Sequence, residues 1–104
     1  LSRSERKALA ERAETIKANP ARKILVEGHT HSDGVVATAP YADNWELSTK
    51  RALAVVRELI KNGVDPSQVA AVGRGDTMPV GDDKAANRRT EIMADPNLKG
   101  LMNN

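Results

Sequence analysis

Apolar residues between Asn44 and Ile60 recur with a helical period. Ala52, Val55, Val56, Leu59 and Ile60 fall at i, i+3, i+4, i+7 and i+8, one buried stripe of a helix. Asp43 or Asn44 suits its start, and Asn62-Gly63 its end, where glycine fits the left-handed position beyond the last turn. Leu9, Ala13 and Ile16 make a narrower stripe that predicts a helix within residues 1–19. Ser2 and Glu5 fit a capping box at its start, and Asn19-Pro20 stops it. Three short runs lack this period and read as strands: Ile24–Glu27, Val69–Val72 and Thr90–Ala94. Gly28 follows the first, as a turn or a point of close backbone approach. Gly73-Arg74-Gly75-Asp76 closes the second, and Asp65-Pro66-Ser67 begins a tight turn before it. Lys84 to Arg89 reads as a short helical turn, and Asp95-Pro96 as the start of a C-terminal helix carrying Leu98, Leu101 and Met102. Ser32 to Asp43 shows no period and is long enough to be a functional surface loop.

The order of these elements predicts a single α/β (α+β) domain over residues 1–104. A strand end, a glycine-punctuated loop and a helix N-terminus converge between Ile24 and Ala52, where such proteins build ligand sites. With 39% apolar residues, no Phe, one Trp and one Tyr, the core must be aliphatic. Sixteen basic and 14 acidic side chains leave a net charge of +2, too little for a non-specific nucleic-acid face. Stacking platforms for single-stranded bases are nearly absent as well. No cysteine is present, which removes disulfides, thiolate metal sites and thiol nucleophiles. No run of about 18 apolar residues exists to span a bilayer, and no signal-peptide pattern opens the chain. Membrane attachment is therefore expected only through segments outside these residues.

Several clusters carry candidate chemistry, each with a plainer reading beside it. His29, His31 and Asp33 suit a metal site if an extended backbone points both imidazoles to one face. A third histidine is lacking, and Gly28 reads as the end of the strand. Arg51, two turns into the long helix, suits a bidentate carboxylate clamp. Its plainer fate is solvent, or pairing with Glu46 or Glu58. Ser48 with His29 or His31 lacks the elbow context of a nucleophilic serine. Gly73-Arg74-Gly75 is too short for a dinucleotide fingerprint, and Arg74-Gly75-Asp76 matches an adhesion tripeptide only superficially. Asn87-Arg88-Arg89 faces either the ligand loop or water.

Together these pieces form four linked motifs. They are Val26-Glu27-Gly28-His29-Thr30, Asn44-x-x-Leu47-Ser48-x-x-Arg51-Ala52, Gly73-x-Gly75-x-x-x-Pro79 and Ala86-Asn87-Arg88-Arg89-x-Glu91-Ile92. Their order and spacing over about residues 1–94 resemble the OmpA-like peptidoglycan-binding domain, with residues 95–104 as a helical extension. The wording from Asn44 to Ser48 is similar to the periplasmic part of flagellar stator B proteins.

The resemblance implies a β/α sandwich with helices packed on one face of a small mixed sheet. It implies a non-catalytic module, with no cofactor and no metal, that anchors an envelope protein in the periplasm. Its partner would be the peptidoglycan stem peptide, usually at meso-diaminopimelate, whose far end presents an ammonium and a carboxylate. The ligand-binding set is then Thr30, His31, Asp33, Asn44, Arg51 and Arg88. Arg51 takes the carboxylate, since its planar fork matches that group better than lysine does. Asp33 or the 28–33 backbone takes the ammonium, and Asn44 and Arg88 shape the pocket.

Three departures from the family pattern stand out. His31 occupies the position of the family's ligand-binding aspartate and holds no permanent negative charge. The segment between Pro79 and Asn87 is shorter than usual, which alters the pocket rim. The family's first strand, which precedes the first helix, has no counterpart in these residues, being either outside them or replaced, so an open sheet edge is expected. A homodimer is one state that relatives adopt. The competing functions are a diverged assembly module with a lost or switched ligand and, further off, a metal-dependent hydrolase using His29, His31 and Asp33.

Overall fold

The computed structural model describes residues 1–35 and 38–95. Helix α1 (Arg3–Lys17) leads to strand β1 (Ile24–Gly28) and helix α2 (Asn44–Lys61). A 3-10 turn (Pro66–Gln68) precedes strand β2 (Val69–Gly73), followed by the short helix α3 (Lys84–Asn87) and strand β3 (Thr90–Ala94). The expected C-terminal helix falls outside the described residues.

The caps follow the sequence closely. The Ser2 hydroxyl accepts from the Glu5 amide at 3.1 Å while the Glu5 carboxylate accepts from the Ser2 amide at 3.0 Å, a complete capping box. Asp43 caps α2 by accepting from the Glu46 amide at 2.9 Å, which makes Asn44 its first helical residue. Gly63, at φ 99°, turns the chain out of α2 in a conformation that a β-carbon disfavours.

The sheet is mixed, in the order β2-β1-β3, with β1 parallel to β2 and antiparallel to β3. Its period-2 rows separate two faces. Ile24 and Val69 form one row, and Val26, Ala71 and Ile92 the next. These rows join Leu9, Ala13 and Ile16 of α1 and Ala52, Val55, Val56 and Leu59 of α2 in one aliphatic core. The α2 stripe is buried as its spacing predicts, apart from Ile60, which packs at the margin of the core. Gln68 ties the end of α1 to the turn before β2, its side-chain amide donating to the carbonyls of Ile16, Asn19 and Arg22 at 2.9–3.0 Å.

Two strand boundaries differ from the sequence reading. β1 and β2 continue through Gly28 and Gly73, which are partners in the parallel register. Neither glycine has a positive φ. Their purpose is close approach: a β-carbon on Gly28 would sit 2.0 Å from the Ser48 carbonyl oxygen, and one on Gly73 would sit 2.1 Å from Thr49 Oγ1. The paired glycines thus let the first turns of α2 lie directly on the strands. Among the described residues no strand precedes α1, and β3 pairs only with β1. Arg12 of α1 reaches this open edge, donating to the Ile92 carbonyl at 3.3 Å.

Candidate functional site

The site begins where β1 runs out. The Arg74 amide donates to the Gly28 carbonyl at 2.9 Å, the His29 amide to the Arg89 carbonyl at 2.8 Å, and the Thr30 amide to the Gly75 carbonyl at 2.8 Å. These bonds fasten the start of the loop to both neighbouring strand ends. Beyond them the Asn44 side chain donates to the His31 and Asp33 carbonyls, both at 3.3 Å. The first residue of α2 therefore holds the loop against its own helix.

A cleft of about 210 Å³ opens between this loop, α2 and the turn after α3. Thr30, His31 and Asp33 line it from the loop, Asn44, Leu47 and Arg51 from successive turns of α2, and Arg88 from beyond α3. All six residues chosen from the sequence thus border one cavity. Tyr41 adds its ring, held near Lys50, whose ammonium donates to the Pro40 carbonyl at 3.1 Å.

The charges around the cleft are unevenly satisfied. Neither Arg51 nor Arg88 has a side-chain hydrogen bond or ion pair among the described residues. The partners considered for Arg51 are engaged elsewhere, Glu46 with Lys50 at 3.2 Å and Glu58 with Arg6 at 3.8 Å. Asp33 is not free. Its Oδ2 lies 2.5 Å from Lys84 Nζ, and that hydrogen bond holds its carboxyl below the usual carboxylate range. His31 Nδ1 accepts from the Asp33 amide at 3.1 Å, so this nitrogen carries a lone pair rather than a proton.

His29 does not join His31. It turns inward, 1% exposed, with Nε2 at 3.4 Å from Glu27 Oε1 and 3.9 Å from Glu91 Oε2. Among the described residues, the converging metal-type donors are Glu27, His29 and Glu91, not His29, His31 and Asp33. Arg74 donates twice to Glu27, at 3.0 and 2.7 Å, and Arg89 pairs with Glu91. Two arginines already balance two carboxylates, so this cluster needs no cation for neutrality. Burial pushes the His29 imidazole below its ordinary range, aided by Arg89 and opposed by Glu91 and Glu27.

Other motif residues prove to be supports. Ser48 is fully buried, its hydroxyl donating to the Trp45 carbonyl at 3.0 Å and accepting from the Gly75 amide at 2.9 Å. It welds α2 to the turn after β2 and is committed there rather than to a histidine. Arg74 is likewise tied to Glu27, so Arg74-Gly75-Asp76 is a structural turn. Asn87 is buried, accepting from the Val80 amide at 2.8 Å and donating to the Gly81 carbonyl at 2.9 Å. Only Arg88 of the Asn87-Arg88-Arg89 run lines the cleft. Sequence reasoning missed the Ser48 weld and the Lys84 contact. The helical spacing of Ser48 with the buried Ala52 and Val55 signals the first, but no local pattern signals the second.

Fold and cleft together define a small α+β domain with a charged cleft at its strand ends. The chain belongs to the OmpA family, whose sequence profile matches residues 1–92. It is 44% identical over 77 residues to outer membrane porin F of Pseudomonas fluorescens, covering 69% of this chain and 22% of the porin. The C-terminal domain of Helicobacter pylori MotB superposes with a TM-score of 0.85 at 26% identity, covering 99% of this chain and 82% of that one. The peptidoglycan-associated lipoprotein of Burkholderia pseudomallei superposes at 0.76 with 33% identity, covering 91% and 80%. The chain spans from about a fifth to a half of the length of curated relatives that it matches, 22% to 51%. No helix among the described residues is long and apolar enough to cross a membrane.

Proposed function

We propose that this domain is a non-catalytic anchor that binds the peptide stem of peptidoglycan and tethers an envelope protein to the wall from the periplasm. The observation that carries this reading is the pair of guanidiniums, Arg51 and Arg88, unpartnered among the described residues, in a cleft bordered by all six residues of the expected ligand-binding set. Arg51 receives the free carboxylate of a diaminopimelate side chain in a bidentate clamp, with Arg88 as the second cation of the wall. Asn44 keeps the loop in place, and Thr30, His31 and Asp33 form the opposite rim. The family membership and the structural likeness to a peptidoglycan-associated lipoprotein support this reading.

Cosedimentation with purified sacculi rich in diaminopimelate tests it. Removing a charged bidentate contact costs about 2 kcal/mol, roughly thirtyfold in affinity. Arg51→Ala should therefore remain in the supernatant at concentrations where the parent pellets. Equal retention of a folded Arg51→Ala variant would refute the reading.

A further inference from the structure

The cleft has one carboxylate among its lining residues, Asp33, and Lys84 already holds it at 2.5 Å. Lys84 comes from the first position of α3, 51 residues along the chain, and does not itself line the cleft. A lysine ammonium on a carboxylate is chemically the same pair that a ligand ammonium would form. With that pair cancelling, one negative against one positive, the remaining formal charges lining the cleft among the described residues are two arginines without a partner there, Arg51 and Arg88. His31 adds no anion, and its Nδ1 lone pair is occupied by the Asp33 amide.

We infer that the cleft reads the carboxylate of its ligand and not the ligand's ammonium, because Lys84 of the same chain already pairs with Asp33, the one carboxylate among the lining residues. This rests on the function proposed above and assigns Lys84 as a specificity-determining residue. The physical reason is an exchange balance. A ligand ammonium reaching Asp33 would displace Lys84, trading one exposed ion pair for another with no net gain. It would also compete with a group tethered at high effective concentration. A ligand carboxylate reaching Arg51 and Arg88 displaces only water and forms pairs that were absent. Ligand discrimination therefore lies on the arginine side. A stem whose diaminopimelate carboxylate is amidated should be rejected, while one lacking only the side-chain ammonium should be accepted.

Calorimetry with three synthetic stem peptides tests this: the meso-diaminopimelate parent, its side-chain amide, and an analogue with hydrogen in place of the side-chain ammonium. With the unmodified domain, amidation should weaken binding about tenfold or more, and loss of the ammonium should change it by less than about twofold. Lys84→Met exposes Asp33 to ligand, so the parent peptide should then outbind the analogue lacking the ammonium by about threefold or more. Equal dependence on the ammonium in the unmodified domain and in Lys84→Met would overturn the inference while leaving the anchor function intact. Failure of a folded domain to bind any of the three peptides would overturn both.

Discussion

Replacing Gly28 with alanine tests the central geometrical claim, that α2 lies directly on β1 because a side chain is missing. Gly28 does not have a positive φ, so alanine there meets no backbone penalty of conformation. The penalty is contact. The new β-carbon would lie 2.0 Å from the Ser48 oxygen, 2.9 Å from its carbonyl carbon and 3.3 Å from the Ala52 nitrogen. All three are backbone atoms of α2, so no rotamer change relieves the clash. The helix must move outward by more than an ångström, against a core in which Ala52 and Leu59 are completely buried. Overpacking of this kind costs about 1–3 kcal/mol where side chains absorb it. Here backbone must absorb it, and about 3 kcal/mol or more is expected, a large part of the 5–15 kcal/mol typical of a domain. Urea unfolding monitored by far-ultraviolet circular dichroism measures this as a lower midpoint at unchanged slope. Gly34→Ala is the control, since a β-carbon there meets nothing within 4 Å, and its effect should stay within about 1 kcal/mol. A Gly28→Ala loss below about 1 kcal/mol would refute the close-approach argument.

Ser48→Ala leaves the buried Gly75 amide without its acceptor and should cost about 1–3 kcal/mol. Hydrogen exchange at Gly75 should accelerate more than at residues in the middle of α2, and unchanged exchange there would refute the weld. His29 predicts a pH dependence. Its pKa is lowered in the fold from an ordinary 6.5, chiefly by burial, so the native state favours the neutral ring. The associated stability is fully present above about pH 6.5 and is lost as pH falls through the lowered native value. Urea midpoints should therefore fall between about pH 7 and pH 5, and the ring titration followed by NMR should centre below 6.5. A ring that titrates above that value would contradict the burial argument.

Local periodicity accounts for most of what was readable in this chain. The stripes of α1 and α2, the capping box at Ser2 and the glycine stop at Gly63 depend on residues within a few positions of one another, and all are found as expected. The strand ends were harder, because a glycine at the end of an apolar run has two physical uses. It relieves a positive φ or admits a close neighbour, and only the position of α2 decides that Gly28 and Gly73 serve the second. The two histidines raise a similar difficulty. A spacing of two suggests a shared face, yet His29 is drawn beneath the sheet end beside Glu27 and Glu91 while His31 borders the cleft. Glu91 lies on β3, 62 residues away, and no spacing near His29 reports it.

The cleft itself was legible as a set of residues but not as an electrostatic state. Sequence names Arg51 as a clamp and Asp33 as a substitute acid with equal ease, since both sit in the convergent segment. What separates them is their partners. Glu46 and Glu58, the acids nearest to Arg51 in sequence, pair with Lys50 and Arg6, which leaves the guanidinium available. Asp33 is bound by Lys84 from a different element. An exposed ion pair contributes only about 0–1 kcal/mol to stability, so the Lys84 contact has little weight in holding the fold. The same small energy matters at a binding site, because it is set against a ligand contact of equal chemistry and similar size. On the proposed function its consequence is selectivity among ligands rather than stability, with Arg51 left as the group whose charge has most to gain from a carboxylate.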